Sequence, residues 1–146
     1  MRDFTTEILS AKGPSILAVG QAGYIIKSHN GQLLAIDLYL SNCVERVEGN
    51  KGYKRLLPQI LNPSDIDFDV VICTHPHLDH FDIDAVPELL SNGRTKLFCS
   101  ADCEKLVHQM QMEYDSLSIT YVKSGDHCIE GDFDIMFVNC DHGAGA

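Results

Sequence analysis

The chain has 146 residues, 45% of them hydrophobic, and a formal net charge of −10. Its length and composition predict a single globular domain over residues 1–146. The chain has 21 acidic and 11 basic residues. This acidic balance argues against a nucleic-acid surface, because phosphate binding needs clustered lysine and arginine. No apolar stretch approaches the length that spans a membrane, so a membrane partner is not expected.

The cysteines and the N-terminus indicate the cellular compartment in which the chain is expected. Six cysteines occur without a Cys-x-x-Cys pair. We interpret Cys73 and Cys140, each two residues before a candidate ligand histidine, as small buried strand residues. The N-terminus has no basic segment followed by an apolar core, so no signal peptide is expected. Together these features predict a reduced, cytoplasmic chain.

The first third of the chain reads mainly as strands, predicted at 4–9, 15–19, 24–27 and 33–37. Asn30-Gly31 predicts a hairpin with a type I′ turn, in which both residues need positive φ. Residues 41–62 lose periodicity and are expected to form a long surface loop with a helical turn near 54–57. Its basic residues, Lys51, Lys54 and Arg55, could contact a phosphate or carboxylate, but we interpret them as a solvated surface.

The rest of the chain is predicted to form alternating strands and helices, followed by a β-rich end. A short helical turn is expected at 63–66, strands at 69–74, 96–99, 119–122, 127–129 and 133–138, and helices at 83–90 and 100–112. Asp82 is the expected N-cap of the first of these helices. His29 and His108 are expected on the surface. The pattern predicts an α/β or α+β fold with a sheet covered by helices.

Four side chains that can bind a metal follow the buried strand predicted at 69–74. They are His75, His77, Asp79 and His80. In a locally extended backbone the two alternating histidines point the same way and can bind one cation. Asp79 and His80 follow where the chain turns and can face a second cation. Nitrogen-rich sites of this kind suit zinc, and manganese or iron when carboxylates join.

Two further residues are candidates for the same site. His142 follows the last predicted strand, as His75 follows its own, and would supply a third imidazole. Asp37 closes an otherwise apolar strand. It could accept a proton from a ligand histidine and so orient that ring, or it could be an ordinary aspartate that starts a turn.

The sequence His75-Pro76-His77-Leu78-Asp79-His80 resembles the His-x-His-x-Asp-His signature of the metallo-β-lactamase superfamily. Residues 19–24, 34–41 and 138–143 resemble segments of its branch that includes the ascorbate-6-phosphate lactonases. The resemblance implies an αββα sandwich, in which two mixed sheets pack together with helices outside. It also favours Asp37 as a brace for the metal loop and 138–143 as the segment that carries a ligand histidine.

The same resemblance implies that the chain represents the N-terminal half of such a domain. In the family, the later half brings an aspartate that bridges two metals and another histidine. Neither is found before Ala146, so we expect a domain that is incomplete at its C-terminus. It would be a fragment, a homo-oligomer, or one half completed by a complementing C-terminal polypeptide.

The leading functional hypothesis is a hydrolase that uses one or two divalent ions and a small-molecule substrate. His75, His77 and His142 would hold the first ion, and Asp79 would be the catalytic residue that orients water or accepts its proton. The bond could be a lactone, ester, amide or phosphodiester. The alternative is a non-catalytic metal-binding half-domain. An oxidoreductase with two irons ranks last, because it needs more carboxylates and a flavin-binding partner domain.

Overall fold

The computed structural model describes residues 4–49, 53–110, 118–140 and 142. Within them the chain forms a mixed α/β fold with four α-helices and eight strands. The helices are α1 Phe4–Ser10, α2 Cys43–Glu48, α3 Ala85–Leu90 and α4 Glu104–Gln109. The strands are β1 Ser15–Ala18, β2 Tyr24–Lys27, β3 Leu33–Ile36, β4 Val70–Cys73, β5 Lys96–Ser100, β6 Ile119–Val122, β7 His127–Glu130 and β8 Phe133–Met136. The α/β or α+β class is therefore confirmed, and no helix in the described ranges is long and apolar enough to cross a membrane.

Six strands form the main sheet in the order β1-β2-β3-β4-β5-β6, and β7 and β8 form a separate hairpin. The pairs β1–β2 and β2–β3 are antiparallel, whereas β3, β4, β5 and β6 run parallel to one another. Every residue of β4 is buried, as expected for a central parallel strand covered on both faces. Parallel strands end at the same edge of a sheet, so the residues that follow β3 and β4 meet there. That edge carries the candidate site.

The two faces of the main sheet are covered differently. One face packs against the helices and forms the larger core, which includes Ile8, Val71, Leu89 and Val107. The other face packs against the β7–β8 hairpin through a smaller cluster that includes Phe133. The hairpin is also tied to the β2–β3 turn, because Ser28 Oγ donates to Asp132 Oδ2 at 2.7 Å.

The first element differs from its prediction as a strand, because residues Phe4–Ser10 are helical. Ile8 is fully buried. Lys27, itself buried on β2, donates from Nζ to the carbonyl oxygens of Ile8, Leu9 and Ala11 at 2.8–3.0 Å. These carbonyls lie at the helix C-terminus, where they lack partners within the helix. The Lys27 ammonium group therefore stabilises a helical conformation that the local sequence did not predict.

The long segment after β3 also differs in detail from its prediction. Its helix is α2, at Cys43–Glu48, and the helical turn expected near 54–57 is absent from the described residues there. Cys43 is fully buried and anchors α2. Arg55 instead holds the later part in an irregular path, since its guanidinium donates to Leu57 O at 2.9 Å and to Ser41 O at 3.1 Å.

The β2–β3 hairpin is confirmed, but its turn is not type I′. Gly31 has a φ of 88°, whereas Asn30 is not among the described residues with positive φ. The Gly31 amide donates to Ser28 O and the Ser28 amide donates to Gln32 O, which makes a longer loop that needs only one left-handed residue. Gly31 is thus the one residue of this turn that needs a left-handed conformation.

The other predicted elements are found with shifted ends. The turn at Pro63–Asp65 is a 3₁₀ helix, and a second 3₁₀ turn at Ala101–Cys103 precedes α4, whose predicted end at 112 lies outside the described residues. The helix predicted at 83–90 starts later, at Ala85, so its N-cap is Asp84 and not Asp82 as predicted. Asp82 Oδ1 nevertheless accepts the amides of Asp84 and Ala85. Cys73 is buried on β4 as expected. Cys140 is exposed and lies beyond the end of β8, so its prediction as a buried strand residue was wrong.

Candidate metal centre

The site lies at the edge of the sheet where β3 and β4 end. Asp37 follows β3, and the segment 74–80, which we call the metal loop, follows β4. The two strands are parallel neighbours, with Ile36 aligned to Ile72, and the Asp37 amide donates to Ile72 O at 2.9 Å. Strand pairing therefore brings Asp37 against the start of the metal loop.

Asp37 accepts three hydrogen bonds from the metal loop. The Thr74 amide donates to Oδ1 at 2.8 Å, and the Thr74 hydroxyl donates to Oδ2 at 2.6 Å. His80 Nδ1 lies 2.8 Å from the same Oδ2. This is the kind of contact expected of a brace, since a carboxylate that accepts the Nδ1 proton leaves Nε2 of His80 free to bind an ion.

Thr74 extends this brace to a second ring. Its hydroxyl oxygen lies 2.9 Å from His75 Nδ1. The single hydroxyl proton is already donated to Asp37, so His75 Nδ1 must be the donor in this contact. The Nε2 atom of His75 then carries the free lone pair. One carboxylate thus sets the tautomer of His80 directly and of His75 through Thr74.

Three imidazoles converge on the open side of the loop. His75 Nε2 and His77 Nδ1 are 3.2 Å apart, and His142 Nε2 is 3.2 Å from the same His77 nitrogen. Nitrogens that bind one zinc at about 2.0–2.1 Å in tetrahedral geometry lie roughly 3–3.5 Å from one another. The spacing and the donor set therefore fit a single ion with one position open. We call these residues the three-histidine group.

The backbone route to this convergence differs from the sequence expectation. Residues 74–80 form bends and turns rather than an extended segment. The amides of His80 and Phe81 both donate to the His77 carbonyl, which folds the loop back on itself. The rings therefore meet because the loop turns, not because side chains alternate along a strand.

A second group comprises Asp37, His75 and His80, whose ligand atoms also lie within 4.8 Å of one another. We call it the braced group. Asp79 lies beside it, with Oδ2 3.8 Å from His80 Nε2. The structure thus keeps Asp79 next to His80 Nε2, the nitrogen that the contact with Asp37 leaves free.

The electrostatics of the loop favour a neutral ring at its centre. Burial and the neighbouring rings of His80 and His77 lower the pKa of His75 below its ordinary value of 6.5. Metal ligation requires the neutral imidazole. His75, which belongs to both groups, is therefore disposed to bind a cation at neutral pH.

Two residues of the site were not predicted from the sequence. Thr74 was assigned only to the end of a strand, and Gln21 only to the turn that follows β1. Gln21 Nε2 donates to Asp79 Oδ2 at 3.1 Å. The signals available in the sequence were weak. Thr74 directly precedes the first histidine of the motif, and Gln21 lies between two glycines.

Backbone strain marks the same residues. Among the described residues other than glycine, positive φ occurs at Gln21, with 43°, and at Asp37, with 49°. Such conformations cost about 1–3 kcal/mol each and persist where surrounding structure imposes them. Both side chains contact the metal loop. His29 and His108, by contrast, are exposed and lie outside both groups, as expected.

No model of a known protein family matches the chain, and no curated protein matches it. Function is therefore inferred from the residues and their geometry. Within the described residues, the structure brings together histidine and aspartate groups that could hold a metal ion.

Proposed function

We propose that the chain is a metal-dependent hydrolase of the metallo-β-lactamase superfamily. The observation that carries the proposal is the convergence of His75 Nε2, His77 Nδ1 and His142 Nε2, with successive separations of 3.2 Å. His142 is 65 residues from His77 in sequence, so this meeting is not a local accident of a histidine-rich loop. The motif from His75 to His80 and the placement of a second small sheet against the main one support the family and the αββα architecture.

The donor set favours zinc at the three-histidine group, with manganese or iron as alternatives where carboxylates take part. A divalent ion there supplies the Lewis acidity that activates water and polarises the bond to be cleaved. One or two ions could be bound. His80 and Asp79 are the residues placed to contact the second.

The protein side chains then have separate tasks. His75, His77 and His142 hold the ion, while Asp37 and Thr74 fix the orientation of two rings. Asp79 lies at the same opening, with Oδ2 fixed by Gln21 at 3.1 Å, and is placed to orient the attacking water and accept its proton. The substrate is a small molecule with a hydrolysable ester, lactone, amide or phosphodiester bond.

The test combines metal content with turnover. Chain purified with zinc, manganese or iron is analysed for bound metal and assayed on p-nitrophenyl acetate, a simple lactone and bis-p-nitrophenyl phosphate. Asp79→Asn should lower turnover by about 100-fold or more while the three-histidine group keeps its ion, because general acid–base groups contribute about 10²–10⁴-fold. His108→Ala, a change at an exposed histidine outside both ligand groups, is the matched control and should behave as the unmodified chain does.

Two results would count against the proposal. Turnover in Asp79→Asn equal to that of the unmodified chain would remove Asp79 from the mechanism. Full occupancy by an ion without hydrolysis of any of the three bond types would favour the non-catalytic metal-binding alternative.

A further inference from the structure

A cavity of about 820 Å³ opens directly beside the metal loop. His77, Leu78 and Asp79 form part of its wall, and Gln21 lies at the same end. Sites for small organic ligands commonly have volumes of about 300–1,000 Å³. The cavity therefore has the size of a substrate site and is continuous with the residues that we assign to the reaction.

Much of the remaining wall is apolar. Its apolar side chains are Tyr39, which is buried, and Val44, Tyr53, Leu56 and Leu57. Leu56 is 94% exposed, Tyr53 54% and Leu57 51%. Large apolar side chains gathered at one concave surface indicate a place where apolar ligand is buried. Leu57 also lies close to the turn that carries Gln21, since a Cβ at Gly20 would be 3.2 Å from Leu57 Cδ1.

The charges around the cavity do not form an anion site. Arg55 lines it, but its guanidinium donates to the backbone carbonyls of Ser41 and Leu57 and lies 5.1 Å from the Tyr39 ring centre. Arg55 therefore stabilises the wall itself. The other charged side chains of that wall are Lys54 and Glu48, which have opposite sign. A neutral ligand suits this balance better than a phosphorylated one.

We propose that the cavity binds the apolar acyl group of a neutral carboxylic ester or lactone, whose carbonyl carbon is presented to the three-histidine group. This inference rests on the proposed hydrolase function and narrows its substrate class. In the reaction, the oxygen of water bonds to the acyl carbon and the acyl carbon–oxygen bond breaks. The proton leaves water through Asp79 and passes to the departing alkoxide, so no oxidant or reductant is needed.

The experiment measures kcat/KM of the metal-loaded chain on p-nitrophenyl acetate, butyrate, hexanoate and octanoate. We expect kcat/KM to rise at least tenfold from acetate to octanoate, because each buried methylene contributes favourably to binding. Leu56→Asp should lower the octanoate-to-acetate ratio at least fivefold. Ile129→Asp, at a comparably exposed apolar residue on β7, is the matched control and should leave the ratio unchanged.

A second measurement does not depend on turnover. Octanamide, which is neutral and carries the same alkyl chain, is titrated calorimetrically into the chain, with acetamide as the reference. We expect binding of octanamide that is weakened at least fivefold in Leu56→Asp and retained in Ile129→Asp. Thermal unfolding of both variants establishes that they are folded.

The outcomes distinguish the cavity assignment from the hydrolase proposal. Metal-dependent hydrolysis with equal kcat/KM for all chain lengths would overturn the cavity assignment and leave the hydrolase proposal intact. Octanamide binding that Leu56→Asp weakens, without hydrolysis of any ester, lactone or phosphodiester by the metal-loaded chain, would support the cavity and overturn the hydrolase. Neither hydrolysis nor octanamide binding would overturn both.

Discussion

The two ligand groups at the sheet edge share His75 but are held in different ways. In the braced group, Asp37 is buried and contacts His80 directly and His75 through Thr74, with hydrogen bonds of 2.6–2.9 Å. In the three-histidine group, His77 and His142 are exposed. The contacts that the structure gives to their ring nitrogens are with other ligand histidines.

If an ion binds as proposed, this difference indicates which half of the site it would order. Hydrogen bonds to a buried carboxylate order the braced group in the metal-free chain. Imidazoles that face one another with little support lower their free energy by sharing a cation. The braced half is thus the ordered part of the site, and an ion bound as proposed would complete the open half.

The largest effect should come from His75→Ala, because this ring belongs to both groups. Even residues that only orient a ligand contribute about 10–100-fold to metal affinity, so loss of the shared ligand should weaken zinc binding by more than about 100-fold. Titration calorimetry with zinc measures the affinity, and His29→Ala is the control at an exposed histidine. Unchanged zinc affinity in His75→Ala would mean that the ion is bound elsewhere.

Asp37→Asn and His142→Ala should separate the two halves. Asparagine tolerates the left-handed backbone of position 37, so the substitution tests the hydrogen bonds rather than the conformation. Without metal, Asp37→Asn should lower the free energy of unfolding by about 1–3 kcal/mol, because its amide group meets donors from Thr74 and His80. His142→Ala should change that free energy by less than about 0.5 kcal/mol, as at most exposed positions.

Both variants should nevertheless bind zinc more weakly. Denaturant unfolding in the presence of a chelator gives the metal-free stabilities, and zinc titration gives the affinities. If His142→Ala destabilised the metal-free chain as much as Asp37→Asn, the two groups would not differ in the way their contacts indicate.

The smallest effect is expected at Gln21. Gln21→Gly removes the cost of positive φ, while glycine adds freedom to the unfolded chain, so the free energy of unfolding should change by less than about 1 kcal/mol. Turnover should fall about two- to tenfold, since a hydrogen bond contributes about 0.5–1.5 kcal/mol. Gln21→Asn, which tolerates the same φ but has a shorter side chain, should show the same loss of turnover. Full activity in both variants would show that Gln21 does not position Asp79.

The sequence predicted the parts of the site that have a dense local signal. Four ligand-type side chains between His75 and His80, and a histidine after the last strand, were sufficient to select the residues that converge. The positions of most strands followed from regular patterns, such as the apolar run of β4. These signals depend only on neighbouring residues, so they can be recognised in a single sequence.

The parts that the sequence did not predict depend on long-range contacts. Residues 4–9 were assigned to a strand because nothing local reveals that Lys27 binds the carbonyls of Ile8 and Leu9. Thr74 acquires its role only when strand pairing places it against Asp37. The path near Arg55 likewise follows from bonds to Ser41, which is 14 residues away.

Asp82, which accepts the first backbone amide of α3, has a wider consequence. Its fully buried carboxylate also accepts the amides of Leu40 and Ser41 at 2.7–2.8 Å, while Asp37 accepts the amide of Thr74. The segment 37–41 is therefore bonded to Thr74 at the start of the metal loop and to Asp82, two residues after its end. We therefore expect the two segments to exchange their amide hydrogens as one cooperative unit, and an ion bound at the metal loop to slow exchange in both.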